Sequence, residues 1–183
     1  MIIHYKDFTV NIINENNYTF DSADNVLPYE AEYGSLNHLH SNKHGIRILR
    51  DEHEISSAII CANGVGTSVH ETSFIIKNDS LYICCGEQIF SLNIPSLTLN
   101  WNKEVDTATC FEIYEFENDF IIHGELEITR LTETGEIKWH FSARDIFVNI
   151  NGKKEFEIIG NTIKLVDWGN YEYILDGDGK EVQ

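Results

Sequence analysis

An all-β fold built as an antiparallel meander of blade-like repeats is what this 183-residue chain predicts. Three observations predict it. The chain holds 25 Ile against 6 Ala and carries 21 aromatic residues, the bias of pleated sheet rather than of helix. Short apolar or alternating runs recur throughout with Gly, Asn and Asp turns between them. The sequence also resembles itself at a spacing close to 40 residues.

In chain order, strands are expected at Gly45 to Leu49, Ser56 to Cys61, Thr72 to Ile76, Leu81 to Cys85, Gln88 to Leu92, Phe111 to Phe116 and Phe120 to His123. They continue at Leu126 to Leu131, Glu136 to Trp139, Glu155 to Ile159, Thr162 to Val166 and Tyr171 to Leu175. Asn63-Gly64, Asn78-Asp79, Asn118-Asp119, Thr134-Gly135, Gly160-Asn161 and Asp176-Gly177-Asp178-Gly179 lie between them, and such residues supply the positive φ that tight hairpins need. Residues 14 to 44 are polar and aperiodic and read as long loops flanking irregular strands, with one edge strand at Phe8 to Ile13. No amphipathic helix longer than about two turns stands out.

The repeat is carried by particular residues. Leu81-Tyr-Ile-Cys-Cys-Gly-Glu87 aligns with Asp119-Phe-Ile-Ile-His-Gly-Glu125 at a shift of 38, and the same shift places Trp101 on Trp139 and Phe90 on Ile128. A weaker copy lies 44 residues further on, where Leu175 and Gly179 match Leu131 and Gly135. Repeat-like units near 45–73, 74–111, 112–149 and 150–183 follow, within a single all-β domain at 1–183. A period near 40 is the arithmetic of a propeller blade, a small four-stranded antiparallel sheet. Four such units suit a small or incomplete β-propeller-like fold, with a twisted β-sandwich as the alternative.

Leu131-Thr-Glu-Thr-Gly-Glu-Ile-Lys-Trp139 resembles the blade motif of quinoprotein-type β-propellers, in which a Thr-Gly turn precedes a tryptophan that docks between blades. The matching positions are Thr134, Gly135 and Trp139. The earlier copy keeps Trp101 but has Leu97 in place of the glycine. The resemblance covers about 100 residues and implies packing rather than chemistry. No quinone-binding or metal-binding set of that family has counterparts here, and no cofactor is expected.

Composition narrows the function classes. Lys and Arg number 13 against 30 Asp and Glu, a formal charge of −17. Nucleic acid and anionic membranes both require a positive footprint, so neither is an expected partner. A basic protein or a cation is. The longest apolar runs, such as Ser57 to Ala62, fall far short of the ~20 residues of a membrane span. Met1-Ile-Ile-His-Tyr-Lys-Asp7 turns charged too early for a secretory signal. Four cysteines with no Cys-x-x-Cys pair fit a reducing cytoplasm.

No nucleophile elbow or phosphate loop is present, so the residues reveal no specific activity. Three clusters remain. Glu112, Glu115, Glu117, Asp119, Glu125 and Glu127 form an acidic band without an intervening Lys or Arg, suited either to solvation or to steering a basic protein partner. His70, Glu71, Cys85, Glu87, His123 and Glu125 would meet if equivalent strands converge, and such donors suit a divalent cation or a polar ligand in a cation-dependent enzyme; the alternative is half-buried Cys and His with solvated glutamates. His38, His40 and His44 are a third possible ligand set. Cys84 and Cys85 should point to opposite faces of one strand as inert thiols. The expected function is a non-enzymatic interaction module recognising a protein partner through acidic loops, with an immunity-type antitoxin as one form.

Overall fold

A computed structural model describes residues 1–34, 42–148 and 154–182. Every element among them is a strand. The first sheet contains β1 (Ile2–Tyr5), β2 (Phe8–Asn14), β3 (Ala31–Tyr33), β4 (Asn42–Arg50) and β5 (His53–Ala62), in the order β1-β2-β4-β5-β3. The second holds β6 (Phe74–Lys77), β7 (Ser80–Cys85), β8 (Gln88–Asn93) and β9 (Leu99–Glu104) in chain order. The third repeats that arrangement with β10 (Cys110–Phe116), β11 (Asp119–Gly124), β12 (Glu127–Thr132) and β13 (Ile137–Ser142). The fourth has three strands, β14 (Phe156–Ile159), β15 (Thr162–Val166) and β16 (Glu172–Leu175). No helix among the described residues is long and apolar enough to cross a membrane.

The segment expected as an edge strand at Phe8 to Ile13 is interior. β2 pairs with β1 on one side and with β4 on the other, because Lys6 adopts positive φ and turns β1 back as the true edge. The first sheet therefore reaches back to Ile2 and is larger than the repeat unit at 45–73. It also contains the one parallel pairing among the described strands, β3 on β5.

Three hydrophobic layers join the sheets in series. Val10, Ile12, Ile46, Ile48 and Ile60 of the first sheet pack on Leu81, Ile83, Phe90 and Leu92 of the second. Tyr82, Cys84 and Ile89 on the opposite face of the second sheet meet Ile113, Phe120, Ile122 and Leu131 of the third. Ile121, Ile128 and Phe116 then meet Phe156, Ile163, Leu165 and Tyr173 of the fourth. The outer face of the first sheet is covered by the chain's own loop, which lays Tyr18, Phe20 and Tyr29 over Ile59 and Cys61.

The pairing registers correct the repeat alignment. Phe74 opposes Ile83 as Ile113 opposes Ile122, and Ser80 opposes Asn93 as Asp119 opposes Thr132, so β6 to β8 map onto β10 to β12 at an offset of 39. The turn after β8 is one residue longer than the turn after β12, which returns the offset to 38 for Trp101 and Trp139. Alternate strand residues face opposite sides, so a shift of one residue exchanges the faces. The structural counterpart of His123 is thus Cys84, and Cys85 corresponds to Gly124.

Both tryptophans lock adjacent sheets. Trp101 Nε1 donates to the Glu133 carbonyl at 3.0 Å, and Trp139 Nε1 donates to the Gly177 carbonyl at 2.9 Å. The accepting turns carry Gly135 (φ +83°) and Gly179 (φ +75°), where a Cβ would lie 2.8 and 2.5 Å from the indoles of Trp101 and Trp139. Between the first and second sheets no tryptophan is available; Ser56 donates instead to the Pro95 carbonyl, two residues before Leu97, which holds the same left-handed conformation (φ +54°).

Two outcomes test these contacts. Gly135→Ala should lose roughly 1–3 kcal/mol in denaturant titration, because the new methyl group meets both positive φ and the indole; Trp139→Phe should lose about 1 kcal/mol with the hydrogen bond. His44 is 1 % exposed, and neither of its ring nitrogens reaches a hydrogen-bond partner. Burial lowers its basicity to a pKa of about 4. The unfolded chain therefore takes up this proton first as pH falls. Stability should be complete above about pH 6.5 and drop by roughly 3 kcal/mol on descending to pH 4, and His44→Leu should remove that slope.

Candidate functional site

The cleft between the third and fourth sheets gathers more chemistry than any single cluster foreseen from sequence. Glu112 and Tyr114 project from one face of β10, two residues apart, and His123 stands opposite Glu112 on β11. The imidazole Nδ1 lies 2.8 Å from Glu112 Oε2 and Nε2 lies 3.3 Å from the Phe147 carbonyl. Thr72, preceding β6, donates its hydroxyl to Glu112 Oε1 at 2.8 Å. The same hydroxyl oxygen sits 3.1 Å from His70 Nδ1, so with its proton committed to Glu112 it accepts from that nitrogen. One carboxylate thereby orients two imidazoles, His123 directly and His70 through Thr72.

Aromatic rings surround this relay. Phe156 of β14 stacks on Tyr114 (centroids 5.0 Å apart, 19° between planes) and on His123 (5.0 Å, 13°), while Phe111 meets His123 edge to face at 5.6 Å. Together with Lys154 and Glu155 they line a cavity of about 360 Å³. Burial alone would push the Glu112 carboxyl up; the hydrogen bonds from His123 and Thr72 prevail and hold it down at about 2. Burial and the adjacent Glu112 charge push the Tyr114 hydroxyl well above its ordinary range. The site therefore presents an ionised carboxylate beside aromatic rings.

Of the six residues considered for a cation, only His70 and His123 reach this cleft. Glu71 lies in an exposed turn before β6. Cys85 is sealed in the first layer, its Sγ 3.8 Å from the Asn42 carbonyl and 3.9 Å from that of Ile60. Glu87 is buried in the β7–β8 turn and accepts from the Asn63 amide at 3.2 Å. Glu125 contributes its backbone to the next turn, donating to Thr109 and accepting from Phe147. The one-residue change of register separates Cys85 from the position of His123, and among the described residues no three His, Cys, Asp or Glu could hold a metal ion. His38 and His40 lie outside the described residues, and His44 is enclosed in the core. Burial pushes the Cys61 thiol up to about 12 and those of Cys84, Cys85 and Cys110 well above the ordinary range.

The acidic band is largely engaged within the protein. Asp119, buried, binds Arg130 and Lys138; Glu117 binds Arg130 at 2.6 Å; Glu115 lies 3.3 Å from Lys77; Glu112 belongs to the relay. Glu127 accepts from Ser142 at 2.8 Å, and Glu125 is half-buried. Strand alternation explains the outcome: the band is contiguous in sequence but divides between two faces and two turns. Thr72, Phe111, Tyr114, Lys154, Glu155 and Phe156 had no place in the sequence-derived sets. The one signal for any of them was the Glu112-x-Tyr114 spacing, which puts both side chains on one face of a strand.

Glu112→Gln gives a third test. With a folded-state pKa near 2 against an ordinary value of 4.5, the native protein keeps this carboxylate ionised until strong acid. Its contribution is present above pH 4.5 and is lost as pH falls toward 2. Denaturation at pH 7, 4 and 2.5 should show the wild type losing about 2 kcal/mol more than the variant, discounted because the side chain is partly exposed, on top of the His44 loss that both proteins share.

No protein-family model matches the chain, and no curated protein matches it in sequence. Solved structures do. BamB from Moraxella catarrhalis, of β-propeller type, superposes with a TM-score of 0.54 at 13 % identity, over 76 % of this chain and 42 % of that one. The computationally designed Ika8 protein superposes with a TM-score of 0.53 at 7 % identity, over 100 % of this chain and 59 % of its own length. The chain thus spans about two fifths of BamB and three fifths of Ika8. At these identities the likeness concerns the fold, which is all-β and propeller-like: small antiparallel sheets packed face to face in series.

Proposed function

We propose that this chain is a non-enzymatic interaction module that recognises a basic protein partner through acidic loops. The observation that carries the reading is where unpaired carboxylate faces solvent. Asp21, Asp24 and Glu30 in the loop over the first sheet, and Asp51 and Glu52 in the β4–β5 hairpin, are exposed and make no ion pair among the described residues. Glu115 and Glu117 add charge at the rim of the third sheet, where Lys77 and Arg130 partly offset it. Such fields accelerate encounter with basic surfaces and repel nucleic acid and anionic membranes. An immunity-type role, in which acidic loops cover the active site of a basic toxin, is the specific form of this reading. A cytoplasmic location and kinship of the Trp-docking blades with the quinoprotein type belong to the same proposal.

The test is capture by the full chain at low salt and at about 0.3 M salt. Basic proteins should be retained and then released as salt rises, and Asp21→Lys combined with Asp24→Lys and Asp51→Lys should abolish capture. A retained set without basic bias, or one indifferent to salt and to charge reversal, would overturn the proposal.

A further inference from the structure

We propose that the cleft between the third and fourth sheets binds an organic cation, a guanidinium or ammonium group held between the Glu112 carboxylate and the rings of Phe111 and Tyr114. The inference stands apart from the loop surface above, and neither requires the other. Three features of the cleft select this chemistry. Glu112 lines the cavity with its side chain 26 % exposed, so its charge is available there while Thr72 and His123 fix its direction. Phe111 and Tyr114 are half-buried and line the same cavity, and aromatic faces attract cations through their quadrupole. Lys154, the one Lys or Arg among the described residues of the wall, pairs with Glu157 at 3.2 Å, while Glu155 adds a second carboxylate.

The same features disfavour other occupants. An anion would meet two carboxylates, Glu112 and Glu155, while Lys154, the one Lys or Arg among the described residues of the wall, is already paired with Glu157. A neutral apolar ligand would strip water from the exposed part of the Glu112 carboxylate and add no partner beyond Thr72 and His123, which is costly. A metal ion would need three converging donors, which the described residues lack. A cavity of about 360 Å³ falls in the range that encloses a small ligand or a single inserted side chain.

The shared chemistry could arrive as a free amine or as a partner's side chain, and calorimetric titration separates the two. Agmatine represents the free cation, a short arginine-containing peptide represents the side chain, and the matching citrulline peptide is the neutral control. Saturable binding of agmatine, of the arginine peptide, or of both is expected, with none to the control. Glu112→Gln and Phe111→Leu should each weaken that binding by about tenfold. Phe111→Leu alters only a half-buried wall, so it decides the matter if Glu112→Gln fails to fold. No saturable binding of either cation, binding of the citrulline peptide as tight as that of its cationic counterpart, or affinity unchanged in Phe111→Leu would overturn the proposal.

Discussion

A small antiparallel sheet has two faces, and in the second and third sheets of this protein both faces are apolar. Leu81, Ile83 and Phe90 point one way while Tyr82, Cys84 and Ile89 point the other. Neither face can be left to water at the usual cost of about 25 cal/mol per Å², so each of these sheets must be sandwiched. Serial stacking, the two indole locks and the covering loop over the first sheet all answer that requirement. The fourth sheet answers it differently: away from the third it shows Glu157, Lys164, Glu172 and Ile174, with Lys164 and Glu172 3.4 Å apart, a face that water can wet.

That two-sidedness also governs what could be read from the residues alone. Strand content, turn positions and the packing role of Trp101 and Trp139 were legible because local chemistry determines them. The true register was not. A single additional residue in the turn after β8 moves the repeat from 39 to 38, and an ungapped alignment cannot detect it. The consequence was large for the candidate site, since Cys85 and His123 share a row at one offset and opposite faces at the other. Phe156 meets Tyr114 and His123 only through packing of one sheet on another, and no local pattern encodes such a meeting.

The charged residues follow the same geometry. Arg130 occupies the position of Ser91 in the preceding sheet and faces the fourth sheet, where it binds Asp119 and Glu117 and donates to the Gly177 carbonyl at 2.7 Å. That carbonyl also receives Trp139, so a guanidinium and an indole converge on one turn. Carboxylates counted as surface charge in the sequence are in part the counterions of an inter-sheet joint.

The four thiols are distributed through the layers like markers. Cys61 lies beneath the covering loop, Cys85 between the first and second sheets, and Cys84 and Cys110 between the second and third. Each is buried and held in its unreactive protonated form, so alkylation must wait for the layer around it to part. The native sequence therefore contains its own clock of opening: pulsed thiol labelling resolved by mass would time the release of the loop, the first seam and the second seam separately, with no probe introduced.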